Sequence, residues 1–140
     1  MVMSTEQTNR RKHFIQMNSR EADAVTTVVN SIRGWQGLNQ PHINERKAKW
    51  NVTDAEILSA LRSGQIVEVH NNVPGELRAV IREDIGFRSV CVTVSLTTKS
   101  LVTVWVNTVN DNHFTLRTEE YGWQVNLLAL MAAFRKQVAS

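Results

Sequence analysis

A histidine and an arginine stand four residues apart in a short polar stretch of the chain. If that stretch is helical, His42 and Arg46 occupy positions i and i+4 and project from the same side. A histidine side chain can transfer protons near neutral pH, and a guanidinium can stabilise the charge that develops on phosphorus during phosphoryl transfer. The pair could therefore support RNA cleavage without a metal, with the 2′-hydroxyl as the internal nucleophile. The same spacing is common on exposed helices without catalytic roles, and this alternative is the more frequent one.

A second set of polar side chains falls on alternate positions of four predicted strands. Because alternate side chains of a strand share one face, a single sheet face would collect most of them. This predicted face comprises Glu68, His70, Arg78, Arg82, Cys91, Thr93, Ser95, Thr103, Trp105 and Asn107. It is either the solvated side of an antiparallel sheet or a groove for a polyanion. In a groove, arginines would pair with phosphates, and Lys49, His70 and Trp105 would contact the nucleic acid, with the indole stacking on a base.

Other kinds of catalytic site find little support in the sequence. The four histidines (His13, His42, His70 and His113) lie in separate predicted elements, so we expect no metal site. The chain has no glycine-rich phosphate loop, and we expect no cofactor. The single cysteine, Cys91, excludes an internal disulfide.

Length and composition are typical of one globular domain. The chain has 140 residues, 42% of them hydrophobic, and a net charge of +3 that is compatible with a polyanionic partner. No apolar run approaches the roughly 20 residues that a membrane helix requires, and the start of the chain lacks the apolar core of a signal peptide. We therefore expect a cytoplasmic protein without a membrane partner. Residues 1–17, with the cluster Arg10-Arg11-Lys12-His13, are predicted to be a flexible basic tail, and residues 18–140 a single α+β domain.

Periodicity predicts helices packed on a four-stranded antiparallel sheet. Two helix starts have the form of a capping box, Asn18-x-x-Glu21 and Thr53-x-x-Glu56. The predicted helices span 19–33, 42–50, 54–63 and 123–137, and the predicted strands span 66–70, 77–82, 89–96 and 101–108. Short turns between the strands favour a meander, to which residues 114–117 could add a short edge strand.

Four short motifs together resemble a known family. They are His42-x-x-x-Arg46, Val52-Thr53-x-x-Glu56-Ile57, Leu61-x-x-Gly64-x-Ile66-Val67-Glu68 and Val102-Thr103-Val104-Trp105. Over residues 40–108 the chain is similar to small domains grouped with RelE-like toxins in the barnase–EndoU–colicin–RelE superfamily. The resemblance implies metal-independent RNA cleavage, with His42, Arg46, Arg78, Arg82 and Thr103 as the matching catalytic positions. The chain departs from the family pattern at Trp50, where a second basic residue is usual, and at Asn51, where glycine is usual.

Two functions follow as expectations. The first is an RNA-directed RelE-like protein, a ribonuclease toxin of bacterial or phage origin that would have an antitoxin as protein partner. The alternative is a non-catalytic phage or mobile-element protein that binds and inhibits a host protein, since helices added at both ends often mediate partner or homodimer contacts. Specific DNA binding is less favoured, because no recognition helix is evident. The ribonuclease hypothesis requires His42 and Arg46 to lie near the sheet face that bears Arg78, Arg82, Thr103 and Trp105.

Overall fold

The computed structural model describes residues 11–71, 75–109 and 126–139. Within these residues the chain forms four α-helices and one antiparallel sheet of five strands. The helices are α1 (Ser19–Ser31), α2 (Pro41–Trp50), α3 (Asp54–Ser63) and α4 (Leu127–Ala139). The strands are β1 (Arg11–His13), β2 (Gln65–His70), β3 (Arg78–Ile85), β4 (Arg88–Ser95) and β5 (Ser100–Thr108). The predicted α+β class is confirmed, whereas the prediction of four strands is wrong.

The additional strand is β1, at one edge of a sheet with the order β1-β2-β3-β4-β5. Arg11 pairs with His70 and His13 pairs with Glu68. Residues 11–17 were expected to belong to a flexible tail, but His13 is buried and a 3-10 turn over Phe14–Gln16 follows it. A three-residue strand is too short to show alternation, and its partner lies far downstream in the chain. Local periodicity therefore could not reveal it.

Helices α1 and α3 pack against one face of the sheet, and α4 packs against α1. Helix α1 contacts α4 and β2, and α3 contacts β3 and β4. The core between helices and sheet is built from fully or nearly fully buried aliphatic side chains, among them Val25, Val28, Ile57, Leu61, Val69, Ile81, Val92, Val104, Leu127 and Met131. The opposite face is thus the one on which the predicted polar residues lie.

Helix α2 lies along the outer edge of β5 instead of over a sheet face. It contacts β5 and buries Ile43 completely. The connector before it also pairs with this edge: the Gln36 amide donates to the Lys99 carbonyl at 3.0 Å, and the Leu101 amide donates to the Gln36 carbonyl at 2.8 Å. An uncovered edge strand would present unpaired backbone groups to solvent, so these contacts protect it. They also bring the first turn of α2 next to the middle of β5.

The corner between α2 and α3 is held by Arg88 at the start of β4. Its guanidinium donates to the carbonyls of Trp50 and Asn51 at 2.9 and 2.8 Å and to the Glu56 carboxylate at 3.0 Å. Asn51 has a φ of 53°, in the left-handed region that asparagine tolerates better than most residues. After glycine, asparagine is the residue that most often adopts this conformation at the end of a helix.

Both predicted capping boxes are present, at Asn18 with Glu21 and at Thr53 with Glu56. They explain why α1 and α3 begin where the sequence predicted, because the reciprocal bonds satisfy backbone amides that the first helical turn leaves free. The backbone amide of Thr53 lowers the pKa of Glu56; burial opposes this shift and Arg88 reinforces it.

A β-bulge in β5 changes the sheet face on which Val102 lies. Thr93 pairs with Thr103, whereas Val94 pairs with Leu101, so Val102 is the extra residue. Strict alternation along β5 would place Val102 on the core face with Val104 and Val106, but Val102 lines a cavity on the polar face. Leu101 is buried in the core instead. A bulge of one residue exchanges the faces on either side of it, and alternation alone cannot locate it.

Some predictions fall outside the described residues: the strand at 114–117, His113, and residues 123–125 of the terminal helix. Among the helices that the structure describes, none has the length and apolar character needed to cross a bilayer.

Candidate functional site

The sheet face that α1, α3 and α4 leave uncovered carries two rows of polar side chains. Cross-strand pairing places Arg11, His70, Arg78 and Ser95 in one row and Glu68, Val80, Thr93 and Thr103 in the next. Residues directly opposite each other on neighbouring strands have their side chains within contact range. Five strands therefore contribute to one continuous polar surface.

This surface contains a cavity of about 260 Å³. It is lined by Arg11, Glu68, His70, Arg78, Val80, Thr93, Val102, Thr103 and Trp105. Four of the eight predicted site residues are among them: His70, Arg78, Thr103 and Trp105. We call it the polar-face cavity. The polar groups of its lining are two guanidinium groups, a carboxylate, an imidazole, two hydroxyls and an indole.

His42 joins this site from α2. Its Nε2 lies 3.1 Å from Oγ1 of Thr103, which is itself part of the cavity lining. The contact follows from the way α2 runs beside β5, because His42 is on the first turn of the helix. His42 is exposed, so it stands where the cavity meets solvent. The expected proximity of His42 to the face bearing Arg78 and Thr103 is therefore present.

His70 lies between two arginines. Both Arg11 and Arg78 are its cross-strand partners, one on each side. Burial, and then the charge of Arg11, lower the pKa of His70 from 6.5 to about 4, with a smaller opposing effect from Glu68. The imidazole is therefore neutral at neutral pH. Its Nδ1 is buried and has no hydrogen-bond partner among the residues that the structure describes.

Each arginine in the cavity also has a carboxylate partner. Arg11 forms an ion pair with Glu68, which is almost fully buried, and Nη2 of Arg78 lies 3.2 Å from Oε2 of Glu76. The bond from Arg78 lowers the pKa of Glu76, against an opposing effect of burial. Nε of Arg78 is also buried, and no described residue accepts a hydrogen bond from it. Both Nε of Arg78 and Nδ1 of His70 are thus polar atoms that a bound ligand could satisfy.

Three predicted site residues lie elsewhere. Arg82 belongs to the same face by register, but its Nη2 donates to the carbonyls of Thr108 and Val109 at 2.9 and 3.3 Å. It lines a separate cavity of about 360 Å³. Arg46 pairs with Glu45 at 3.3 Å, and Nζ of Lys49 lies 5.3 Å from the ring centroid of Trp50. Neither of these helix residues is among those that line the polar-face cavity.

Two charged residues of the cavity, Arg11 and Glu68, were not chosen as site residues from the sequence. Arg11 was missed because it was assigned to a tail. Glu68 was placed on the correct face but given no role. A charged residue inside an apolar strand run, as in Ile66-Val67-Glu68-Val69, is the signal that could have marked it, since a buried carboxylate needs a cationic partner.

Within the ranges 11–71, 75–109 and 126–139, no group of three His, Cys, Asp or Glu side chains is arranged to hold a metal ion. Comparisons of the chain with protein-family models, curated proteins and solved structures found no match. The resemblance to RelE-like domains therefore stays a prediction that rests on the four motifs.

Proposed function

We propose that this chain is an RNA-directed protein with RelE-like activity, a metal-independent ribonuclease toxin of bacterial or phage origin that acts on cytoplasmic RNA. The observation that carries the proposal is the arrangement of Arg11 and Arg78 on either side of a neutral His70, in a cavity that also holds Thr103. Cationic groups beside a proton acceptor are what cleavage of a phosphodiester requires.

Binding is the first step of the proposed activity. A phosphodiester in the polar-face cavity would accept hydrogen bonds from Arg78, whose Nε has no partner within residues 11–71, 75–109 and 126–139. Trp105 is half-buried in the same lining, and its exposed part offers a surface on which a base can stack. Stacking tolerates every base, so this contact predicts weak sequence preference.

Cleavage is the second step. Neutral His70 takes the proton of the 2′-hydroxyl, the 2′-oxygen forms a bond to phosphorus, and the bond from phosphorus to the 5′-oxygen breaks. His42, held by Thr103 at the edge of the cavity, gives a proton to the leaving 5′-oxygen. The products are a 2′,3′-cyclic phosphate and a 5′-hydroxyl end. The bound phosphate is an anion, which raises the pKa of His70 from about 4 and makes it a better base in the complex.

The experiment is an incubation of purified protein with a fluorescent RNA in the presence of EDTA. We expect fragments that end in a cyclic phosphate, and a loss of at least about 100-fold in cleavage rate for His70→Asn. Arg20→Ala, which changes an exposed arginine of α1 outside the cavity, is the matched control and should cleave like the wild type. Intact RNA with the wild type, or equal cleavage by the wild type and the histidine variants His42→Ala and His70→Asn, would remove the enzymatic proposal.

A further inference from the structure

A groove lies between the end of α1 and the exposed side of α3, on the helical layer and away from the polar-face cavity. Its volume is about 460 Å³. It is lined by Val29, Asn30, Ile32, Arg33, Trp35, Leu58, Leu61 and Arg62. We call it the α1–α3 groove. None of these residues takes part in the proposed ribonuclease chemistry.

The floor of the groove is apolar and open. Val29, Ile32 and Leu61 form the buried base, while Trp35 is half-buried and Leu58 is 42% exposed. Leu58 lies on α3 and is an apolar side chain exposed to solvent. An exposed leucine beside an indole, in a concave surface, is typical of a binding site for another apolar side chain.

Two cations stand at the groove. Arg33 and Arg62 are exposed, and neither forms a hydrogen bond or an ion pair with any residue that the structure describes. Arg11, Arg78 and Arg88, by contrast, each have a carboxylate partner. The groove thus offers an apolar floor together with two guanidinium groups whose donors are open to a ligand.

We propose that the α1–α3 groove binds an acidic amphipathic helix of a partner protein. The apolar side chains of that helix pack between Trp35 and Leu58, and its carboxylates pair with Arg33 and Arg62. Charge complementarity selects an acidic partner, and a groove between helices accepts an amphipathic helix by its apolar face.

Two other occupants fit less well. A second copy of the chain in a two-fold dimer would bring the same patch against itself and so set the arginine pair of one copy near that of the other. RNA would satisfy Arg33 and Arg62 but would leave the apolar floor of Leu58 and Leu61 without a matching surface. The groove therefore serves a protein, separately from the RNA site on the other side of the sheet.

The test uses full-length protein and three fluorescein-labelled helical peptides of equal length. One has a leucine face and a glutamate face, the second has lysine in place of glutamate, and the third has serine in place of leucine. Fluorescence anisotropy should show saturable binding of the first peptide and at least about tenfold weaker binding of the other two, with affinity that falls as salt rises.

Variants then locate the binding. Arg33→Glu with Arg62→Glu, and separately Leu58→Asp, should weaken binding of the acidic peptide by at least about tenfold, whereas Arg20→Glu on the same layer should leave it unchanged. Each variant alters an exposed side chain, and its far-ultraviolet circular dichroism should match that of the wild type. RNA binding and cleavage by these variants should also be unaffected. The test of the groove is therefore independent of the test of the RNA site.

Three outcomes would overturn the proposal. One is no saturable binding of the acidic peptide, and another is equal affinity for the acidic and basic peptides. The third is a concentration-dependent dimer that Leu58→Asp abolishes, which would assign the groove to a second copy of the chain.

Discussion

Nε2 of His42 lies 3.1 Å from Oγ1 of Thr103. Because Thr103 belongs to the edge strand β5, this contact joins helix α2 to the polar face of the sheet. The bond exists because Gln36 and Gln40 attach the connector and the helix start to the backbone of β5. An imidazole on an exposed helix would otherwise sample several rotamers. Thr103 therefore holds His42 at the edge of the cavity, where the proposed proton transfer needs it.

Replacement of Thr103 by valine removes the hydroxyl and keeps the shape of the side chain. We expect the rate of RNA cleavage to fall by about tenfold, because His42 loses its orientation, with a change in the free energy of unfolding of about 1 kcal/mol or less. Cleavage assays and urea unfolding measure the two effects. Thr108→Val, at an exposed position of the same strand outside the cavity lining, is the matched control and should retain the cleavage rate. Equal rates for both variants would contradict the role of Thr103.

The pKa of His70 predicts how stability depends on pH. In the folded protein this pKa is about 4, below the 6.5 of the unfolded chain, mainly because of burial and then the charge of Arg11. The unfolded state therefore binds the proton more tightly, so protonation favours unfolding. Stability from this group is complete above about pH 6.5 and is lost as the pH falls toward 4. Between pH 7 and 5 the loss should be on the order of 2 kcal/mol.

Urea unfolding at several pH values between 4 and 7 checks this expectation. His70→Asn should flatten the dependence on pH over this window, whereas Arg20→Ala, at an exposed position of α1, should leave it as in the wild type. A wild-type protein equally stable at pH 7 and pH 5 would show that His70 is not buried as a neutral imidazole.

Glu21 connects three elements of the fold. Its carboxylate accepts from Nζ of Lys12 at 2.7 Å and from the amides of Asn18 and Leu127 at 3.2 Å each. Burial raises the pKa of Glu21, but these bonds outweigh it and the net shift is downward. We expect Glu21→Gln to lower the free energy of unfolding by about 2–3 kcal/mol, because the ammonium of Lys12 would be left without its counter-charge.

Chemical unfolding of Glu21→Gln at pH 7 measures that loss. Glu45→Gln, at a side chain that is 65% exposed, is the control and should change stability by less than about 1 kcal/mol. Since the pKa of Glu21 is lowered, its contribution is present above 4.5 and disappears as the pH falls through the folded value. Equal stability of the two variants at pH 7 would show that Glu21 does not join β1 and α4 to α1.

Local patterns predicted the parts of the fold that local chemistry determines. The capping box at Thr53 and the stop at Gly64 predicted α3 as 54–63, which is its extent in the structure. Strands β2 to β5 followed from alternation. By contrast, β1 and the bulge at Val102 depend on pairing between distant segments. No periodicity within one segment contains that information.

The same distinction explains the candidate site. Alternation predicted one shared sheet face for His70, Arg78, Thr103 and Trp105. The register between neighbouring strands then brings them together in the lining of the polar-face cavity. Arg82 shares that face, yet its long side chain reaches the carbonyls of Thr108 and Val109 at the end of β5. The acceptors within reach of the Arg82 guanidinium depend on where β5 ends beside it, and alternation within β3 does not show this.

Arg78 is the residue whose effect on RNA binding should be simplest to measure. If Arg78 contacts one phosphate, its removal should weaken binding at low salt and reduce the slope of log K against log salt concentration by about 0.7 for single-stranded RNA. Arg78→Ala and the control Arg20→Ala are compared by anisotropy with a labelled single-stranded RNA over a range of salt concentrations. Arg20→Ala should keep the wild-type slope, because Arg20 is exposed on α1 and lies outside the cavity lining. If Arg78→Ala weakens binding equally at all salt concentrations, the guanidinium acts by supporting the cavity through Glu76 and not by pairing with a phosphate.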